Sequence, residues 1–506
     1  MSPAETAQQS VVDFLDSSAT YGGAPVERIV THAARVYLAG TRALKIKRAV
    51  TFPFLDYSTL AKRKAACEVE IEVIRIYAPT IYRGVVAITR ERDGNFAIGG
   101  TGEPVEWAVE MARFDETQTL DHLADAGKID SVLADALGRA VASAHDAAPV
   151  ITTGAFIDTL AEIIAQNGAE LSARPGLFDQ ALTDAVTQGS RAALNRLHAL
   201  LIARERGGLV RRCHGDLHLG NIVLIDGAPV LFDAIEFDPA IATGDVLYDL
   251  AFLLMDLVER GLRPAANIVF NRYLADTRRD IDLDALAALP LFMSVRAAIR
   301  AKVTAARNAG DRATEKAAYD YFALAARLLT PPAPRLIAVG GLSGTGKSLL
   351  ARALAAEILP APGAVLLRSD VERKALFGVN ETDPLPEKAY SREATAKVYA
   401  TLCSKARRVL AAGHSAIVDA VFAGHGEGLD IAKAANGAAF QGLFLTADLA
   451  TRLARVGSRK GDASDADAAV ARAQEAYDLG ALDWPKADAS GDPGQTLRNA
   501  KAALGL

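Results

Sequence analysis

Residues 214 to 233 read His214-Gly-Asp216-Leu-His218-Leu-Gly-Asn221-Ile-Val-Leu-Ile-Asp226-Gly227-Ala-Pro-Val-Leu-Phe-Asp233. Three oxygen-bearing side chains sit on this short frame: Asp216, then Asn221 five positions on, then Asp233. Between the last two lie short apolar runs, Ile222 to Ile225 and Pro229 to Phe232, joined by Asp226-Gly227. That dipeptide between apolar runs is a strong hairpin signal. A hairpin brings the loop carrying Asp216 beside the strand end carrying Asp233. The stretch therefore predicts one acidic site built from a loop and a strand end.

Phosphoryl transfer needs such a set, because a triphosphate is heavily charged and an acceptor hydroxyl must be aligned and deprotonated late. Protein kinases use the same order: a base Asp, then an Asn and a second Asp on magnesium. The loop His214-Gly-Asp216-Leu-His218-x-x-Asn221 resembles the signature of aminoglycoside phosphotransferases and their small-molecule kinase relatives, where Gly replaces the Arg of protein kinases. That resemblance implies an α+β, protein-kinase-like fold of two lobes, with Asp216 catalytic and Asn221 and Asp233 on the metal. Asp245 and Asp249, downstream, also fit that family; helix capping and loop bracing is the simpler reading of them. His214 and His218 are expected to hold the loop by hydrogen bonds. No Cys or His pair elsewhere completes a zinc ligand set.

A second phosphate-binding pattern lies far downstream. Gly341-Leu-Ser343-Gly344-Thr345-Gly346-Lys347-Ser348 is Gly-x4-Gly-Lys-Ser, preceded by the apolar run Leu336 to Val339 and followed by the helix-forming run Leu349 to Glu357. This is the strand–loop–helix context a P-loop requires. Its amides turn toward phosphate at a helix N-terminus, Lys347 reaches the outer phosphates, and Ser348 ligates magnesium. The two patterns belong to unrelated folds, so two nucleotide sites in two domains are expected. The chain is long enough, at 506 residues, for both. The Pro-rich seam Leu329-Thr-Pro-Pro-Ala-Pro334 ends the preceding helical pattern. It divides residues 1–330 (lobes 1–112 and 113–330) from an α/β P-loop NTPase domain with a parallel sheet, 335–506.

In the first domain, Arg35 to Lys47 alternates around a Gly-Thr-Arg turn and predicts a hairpin. Ala43, Lys45 and Lys47 share one strand face. Lys45 is the candidate phosphate-pairing lysine, with Lys47 as the alternate. The helix Tyr57 to Tyr77 offers Glu68, Glu70 and Glu72 as its partner; the resemblance points to Glu70. Trp107 to Arg113, with Met111, looks like the strand and hinge that would meet adenine. Arg296, Arg300 and Lys302 on Met293 to Val303 form a basic stripe, read as a solvated helix face in preference to an anion site.

In the second domain, Val365 to Ser369 predicts a strand leading to Asp370, where ligands gather at the strand ends of open α/β sheets. Asp370 would activate an acceptor hydroxyl, with Arg373 or Lys374 on phosphate; a helix N-cap is the rival reading. Ser415 to Asp419 is an apolar strand ending in an acid, a Walker-B-like place for Asp419 on magnesium. Thr451 to Lys460 resembles a lid whose arginines, Arg452, Arg455 and Arg459, offset phosphate charge; Asp462, Asp465 and Asp467 follow, with Gln474 further on. This order resembles the AAA-related small kinases of the gluconate-kinase, zeta-toxin and polynucleotide-kinase kind. The residues after Asp419 lack the basic residues of that group.

A net charge of −5 gives no support to non-specific nucleic-acid or membrane-surface binding. The three cysteines, Cys67, Cys213 and Cys403, are scattered and odd in number, which implies no disulfide framework. The N-terminus lacks a basic and apolar leader pattern. The apolar run Val246 to Val258 is broken by Asp249 and Asp256 and is too short to span a bilayer. A cytoplasmic protein is expected. Taken together, the chain resembles a bacterial bifunctional family that fuses an aminoglycoside-phosphotransferase-like kinase to a P-loop kinase. The resemblance implies an ATP- and magnesium-dependent phosphotransferase acting on a small-molecule hydroxyl. The alternative is a nucleotide-sensing protein in which the P-loop domain gates its neighbour.

Overall fold

The computed structural model describes residues 3–52, 55–307, 310–424, 426–458, 462–477 and 483–506. Chain contacts divide it into two compact units, Met1–Ala165 with His198–Asp256, and Gln166–Leu197 with Leu257–Leu506. The division does not follow the Pro-rich stretch at 330–334.

The first unit opens with a six-stranded antiparallel sheet. Its order is Val26–Val30, Ala34–Ala39, Arg42–Lys47, Glu103–Ala112, Tyr82–Arg90 and Phe96–Ile98. The expected hairpin is there, with Val36 opposite Lys45. Val11, Val12 and Leu15 of helix Pro3–Asp16 cluster with Tyr37, Leu44 and Ile46 of the sheet, so one sheet face gains an apolar cover. Helix Leu60–Ile74 starts at Thr59, whose side chain accepts from the Lys62 amide. After helical segments comes the second hairpin, Ile222–Ile225 with Ala228–Leu231. Asp226 and Gly227 turn it at φ values of 50° and 79°, the left-handed pair such a two-residue turn needs.

The second unit carries a five-stranded parallel sheet. Its order is Val365–Arg368, Ala416–Asp419, Arg335–Gly341, Ala439–Thr446 and Lys486–Asp488. Ile337, Val339, Ile417, Leu443 and Leu445 bury against Leu350 and Leu354 of helix Lys347–Ala355. Runs buried on both faces suit a parallel sheet.

Helix Arg263–Thr277 covers the edge strand of this sheet. Asn271 Nδ2 donates to Ala364 O at 3.1 Å, and Leu366 N donates to Asn271 Oδ1 at 2.7 Å. One amide side chain thus satisfies both an edge carbonyl and an edge amide. Asn267 adds a bond to Ala364 O at 3.0 Å. An uncovered edge strand is a pairing hazard, and these two asparagines close it.

The basic stripe of the sequence reading is not a freely solvated face: one of its cations is buried and two are half-buried against partners. Arg296 is buried in helix Leu289–Arg307, Arg300 lies over the Tyr321 ring, and Lys302 pairs with Glu170 at 2.9 Å. The apolar partners of that helix draw these stems inward. All three cysteines are free and buried. Among the described residues no helix is long and apolar enough to cross a membrane.

Candidate functional sites

The catalytic-type loop of the first unit is held from beneath by two acids on one helix, Val246–Glu259. Asp249 accepts from the amides of His214 (3.3 Å) and Gly215 (2.8 Å), and Asp256 accepts from the Leu219 amide at 3.0 Å. Seven residues are close to two helical turns, so both carboxylates point the same way. Asp245 pairs instead with buried Arg204 (2.5 Å) and accepts from Leu247 N. His214 Nε2 lies 2.9 Å from Phe232 O, tying the loop to the strand before Asp233. Burial holds His214 below the ordinary histidine range, and its bond to Phe232 O gives the ring a structural part. Gly215 has φ 83°, and a Cβ there would lie 3.0 Å from Ala242 Cβ. Both facts call for glycine.

On this support, Asn221 Nδ2 donates to Asp216 O and to Asp216 Oδ2, each at 3.0 Å. The amide group of Asn221 is thereby oriented by Asp216, which leaves its carbonyl oxygen as the hard ligand atom. Asp216 is 39% exposed on its side chain, accessible to an acceptor. Asp233 takes φ 58°, a strained state of about 1 kcal/mol or more for a non-glycine residue. Its Oδ1 meets Lys45 Nζ at 2.7 Å.

Lys45 also meets Glu70 Oε1 at 3.0 Å, while Lys47 meets Glu70 Oε2 at 2.6 Å and pairs with Glu236. Burial alone would pull Lys45 down, but Asp233 and Glu70 outweigh it and hold the ammonium raised. Burial would likewise raise Glu70, and the two ammoniums outweigh it and hold the carboxyl low. The stability Glu70 adds is therefore complete at neutral pH and is lost only as pH falls below the ordinary glutamate range. Glu68 is 56% exposed and pairs with Lys64 at 3.5 Å, and Glu72 is exposed. Glu70→Ala should destabilise the protein by about 3–5 kcal/mol, the cost of breaking a buried pair. Glu68→Ala should change it by less than about 0.5 kcal/mol. Urea unfolding of both variants checks this, and equal midpoints would refute the buried network.

The second site lies at the carboxyl edge of the parallel sheet. Ser348 Oγ donates to Asp419 Oδ2 at 2.6 Å, Lys347 Nζ to Leu342 O at 3.2 Å, and Thr345 Oγ1 to Leu342 O at 2.8 Å. Gly344 has φ 85°, and a Cβ there would stand 2.5 Å from Arg452 O. A side chain there would strike the backbone at Arg452, so glycine lets the loop pack closely against that residue. Arg452 is buried and braces it, with Nε donating to Ser343 O at 2.9 Å and a pair to Glu475. Gln474 Oε1 accepts from the Ser343 amide at 2.7 Å. Asp370 sits in the first turn of helix Ser369–Leu376, whose N-cap is Arg368, so Asp370 does not cap it. Burial, assisted by the Asp419 carboxylate, pushes the Asp370 carboxyl up, which suits a proton acceptor.

Residues 63–289 match the family model described as Phosphotransferase enzyme family, and residues 336–478 match the one described as AAA domain. Uncharacterized protein Rv2004c of Mycobacterium tuberculosis (strain ATCC 25618 / H37Rv) is 31% identical over 401 residues, covering 77% of each chain. Uncharacterized protein Mb2027c of Mycobacterium bovis (strain ATCC BAA-935 / AF2122/97) has the same identity and coverage. The chain belongs to their family. It joins a phosphotransferase domain of protein-kinase-like fold to a P-loop domain of the AAA kind.

Solved structures resembling its parts include aminoglycoside 2'-phosphotransferase-IIIa, in its GDP complex, at 15% identity. The match covers 63% of this chain and 98% of that one, with a TM-score of 0.40. A gluconokinase from Sinorhizobium meliloti 1021 is 20% identical over 34% of this chain and 92% of its own, with a TM-score of 0.25. Neither likeness is close enough to bear on activity.

Within the phosphotransferase domain the side chains form two groups, Asp216 with Asn221 and Lys45 with Glu70 and Asp233. Met111 lies inside strand Glu103–Ala112, opposite Ala43 and Tyr82, with its side chain buried. The following amides, Ala112 and Arg113, donate to Ile81 O and Thr41 O. In the P-loop domain, Arg373 donates to Ala389 O, and Lys374 pairs with Asp465 at 2.6 Å; both are committed to internal partners. Arg455 donates to Gly491 O at 3.0 Å, and its Nη1 lies 4.0 Å from where a Gly346 Cβ would be. Arg459 lies outside the described residues. Arg452 belongs to the stretch read as a lid, and the structure buries it as a brace of the P-loop. Asp256 and Glu236 carried no functional reading in the sequence. For Asp256 a signal existed, two acids seven apart in an apolar helix; Glu236 is known only by its distant partner, Lys47.

Both sites fit magnesium by the chemistry of their atoms. Asn221 and Asp233 offer hard oxygens on one side, and Ser348 and Asp419 on the other. The lysines and the P-loop amides fit phosphate.

Proposed function

We propose that the protein is an ATP- and magnesium-dependent phosphotransferase acting on a small-molecule hydroxyl, with one nucleotide in each domain. The observation that supports this most is the hydrogen-bonded Asp216–Asn221 unit beside the Lys45–Asp233 pair. Asp216 would accept the proton of the acceptor hydroxyl as the new bond to phosphorus forms. Lys45, steadied by Glu70, would hold nucleotide phosphate. Asn221 and Asp233 would hold magnesium, which supplies charge neutralisation on the phosphates when bound. In the P-loop domain, Lys347 and the amides of Gly344 to Ser348 would hold phosphate. Arg455 and Arg459 would offset its charge, Ser348 and Asp419 would take the metal, and Asp370 would act on an acceptor. A cytoplasmic setting accords with the free cysteines.

An ATP-consumption screen against sugars, amino alcohols, nucleosides and aminoglycosides tests the proposal. Turnover with one acceptor class, lost in Asp216→Asn or in Lys347→Ala, supports it; acceptor-dependent turnover that survives in both variants overturns it. Lys347→Ala should also weaken nucleotide binding at its site by about tenfold or more, the worth of a charge-assisted bond. Calorimetry with the Asp233→Asn background isolates that site.

One observation favours a second reading, in which the P-loop domain senses nucleotide and gates its neighbour. Glu381 pairs with Arg272 of helix Arg263–Thr277 at 2.7 Å and faces Arg368, beside Asp419, at 3.5 Å. Nucleotide bound by the P-loop domain without turnover, yet changing turnover at Asp216, would support it.

A further inference from the structure

Arg368 ends the strand Val365–Arg368 and stands directly opposite Asp419 in the parallel register. Its side chain is 5% exposed. Nη2 donates to Ser348 Oγ at 3.2 Å and to Asp462 Oδ1 at 2.8 Å, while Nε donates to Asp419 Oδ2 at 3.4 Å. Nη1 faces Glu381 Oε1 at 3.5 Å and, among the described residues, makes no hydrogen bond. A buried guanidinium therefore grips the hydroxyl and the carboxylate that the proposed function gives to the metal.

We infer that Arg368 is a positioning residue with two tasks at the P-loop site. It keeps Ser348 and Asp419 in reach of one another, and its positive charge keeps a bare divalent cation off them. Like charges repel strongly where water is excluded, so a lone cation gains little by displacing a fixed guanidinium. A triphosphate reverses that balance. It carries several negative charges, offers acceptors to the N–H groups of Nη1, and brings the metal with it. Arg368 thus makes metal entry conditional on nucleotide, a property beyond binding itself. The inference rests on the reading of Ser348 and Asp419 as metal-facing groups. A purely structural arginine would not make metal affinity and nucleotide affinity move in opposite directions.

The test uses the full chain. Binding of Mn2+ is followed by electron paramagnetic resonance without nucleotide, and a fluorescent ATP analogue is titrated with Mn2+ present, every protein compared carrying Asp233→Asn so that the P-loop site alone reports. Wild type and Asp419→Asn should give the same Mn2+ titration in the absence of nucleotide. Arg368→Gln should gain an Mn2+ site, about tenfold tighter or more than wild type, that disappears when Asp419→Asn is added. The same variant should bind the ATP analogue about tenfold more weakly. Arg368→Lys keeps the charge and should still exclude Mn2+. Asp419-dependent Mn2+ binding by wild type without nucleotide overturns the inference, and that comparison needs no change at Arg368. Unchanged Mn2+ binding in a folded Arg368→Gln protein overturns it as well. If Asp419→Asn leaves metal-dependent nucleotide binding intact, the metal reading of the site fails first, and the role of Arg368 falls with it.

Discussion

Asp216→Asn should cut turnover of the phosphotransferase domain by about 100-fold or more, the usual worth of a positioned acid–base group, while nucleotide affinity stays nearly unchanged. The two effects separate because of the geometry. Asp216 is tied to Asn221 and is open to an acceptor. The groups that would grip phosphate, Lys45 with Glu70 and Asp233, form a separate cluster. An asparagine keeps the size of the aspartate and its backbone carbonyl still accepts from Asn221, so the loop should persist. It cannot accept a proton at neutral pH. Single-turnover measurements with saturating ATP read the chemical step directly. Full activity in the variant would remove Asp216 from the role assigned to it, and lost nucleotide binding would recast it as a structural group.

A fragment of residues 335–506 should melt well below the intact protein. Cutting at the Pro-rich stretch removes helix Arg263–Thr277, and with it the asparagines that satisfy Ala364 O and Leu366 N on the edge strand. It also removes the partners of Glu381 and Arg408, which are Arg272 and Asp284, each at 2.7 Å. Each hydrogen bond exchanged for one to water loses about 0.5–1.5 kcal/mol net, and several such losses are a large share of the stability of a small domain. The exposed edge would also invite association between copies. Thermal melts and light scattering on the fragment beside the whole chain settle this. Equal melting would show that the segment after 334 owns a complete core. Asn271→Ala in the full chain offers a milder version, with an expected loss of about 2–3 kcal/mol.

The parts that could be read from the chain alone are those whose cause is local. Asp226-Gly227 turns a hairpin because those two residues tolerate left-handed backbone, and that turn brings Asp233 back toward the Asp216 loop. The P-loop is likewise contained in eight residues, with its strand before and its helix after. Alternation from Arg35 to Lys47 was enough for a hairpin, because a strand's period is a property of its own backbone. Helix periodicity, by contrast, could not choose among Glu68, Glu70 and Glu72. Which of the three is buried depends on where the sheet lies against helix Leu60–Ile74, and packing selects Glu70. The basic stripe at Arg296, Arg300 and Lys302 reads as solvated for the same reason: its partners Tyr321 and Glu170 are invisible to a local pattern. Arg368, Gln474 and Asn271 are ordinary polar residues in sequence. They become important through partners 20, 131 and 95 residues away. Their roles arise only when the parallel strands and the helix covering their edge come together, since ion pairing and hydrogen bonding depend on distance in space rather than along the chain.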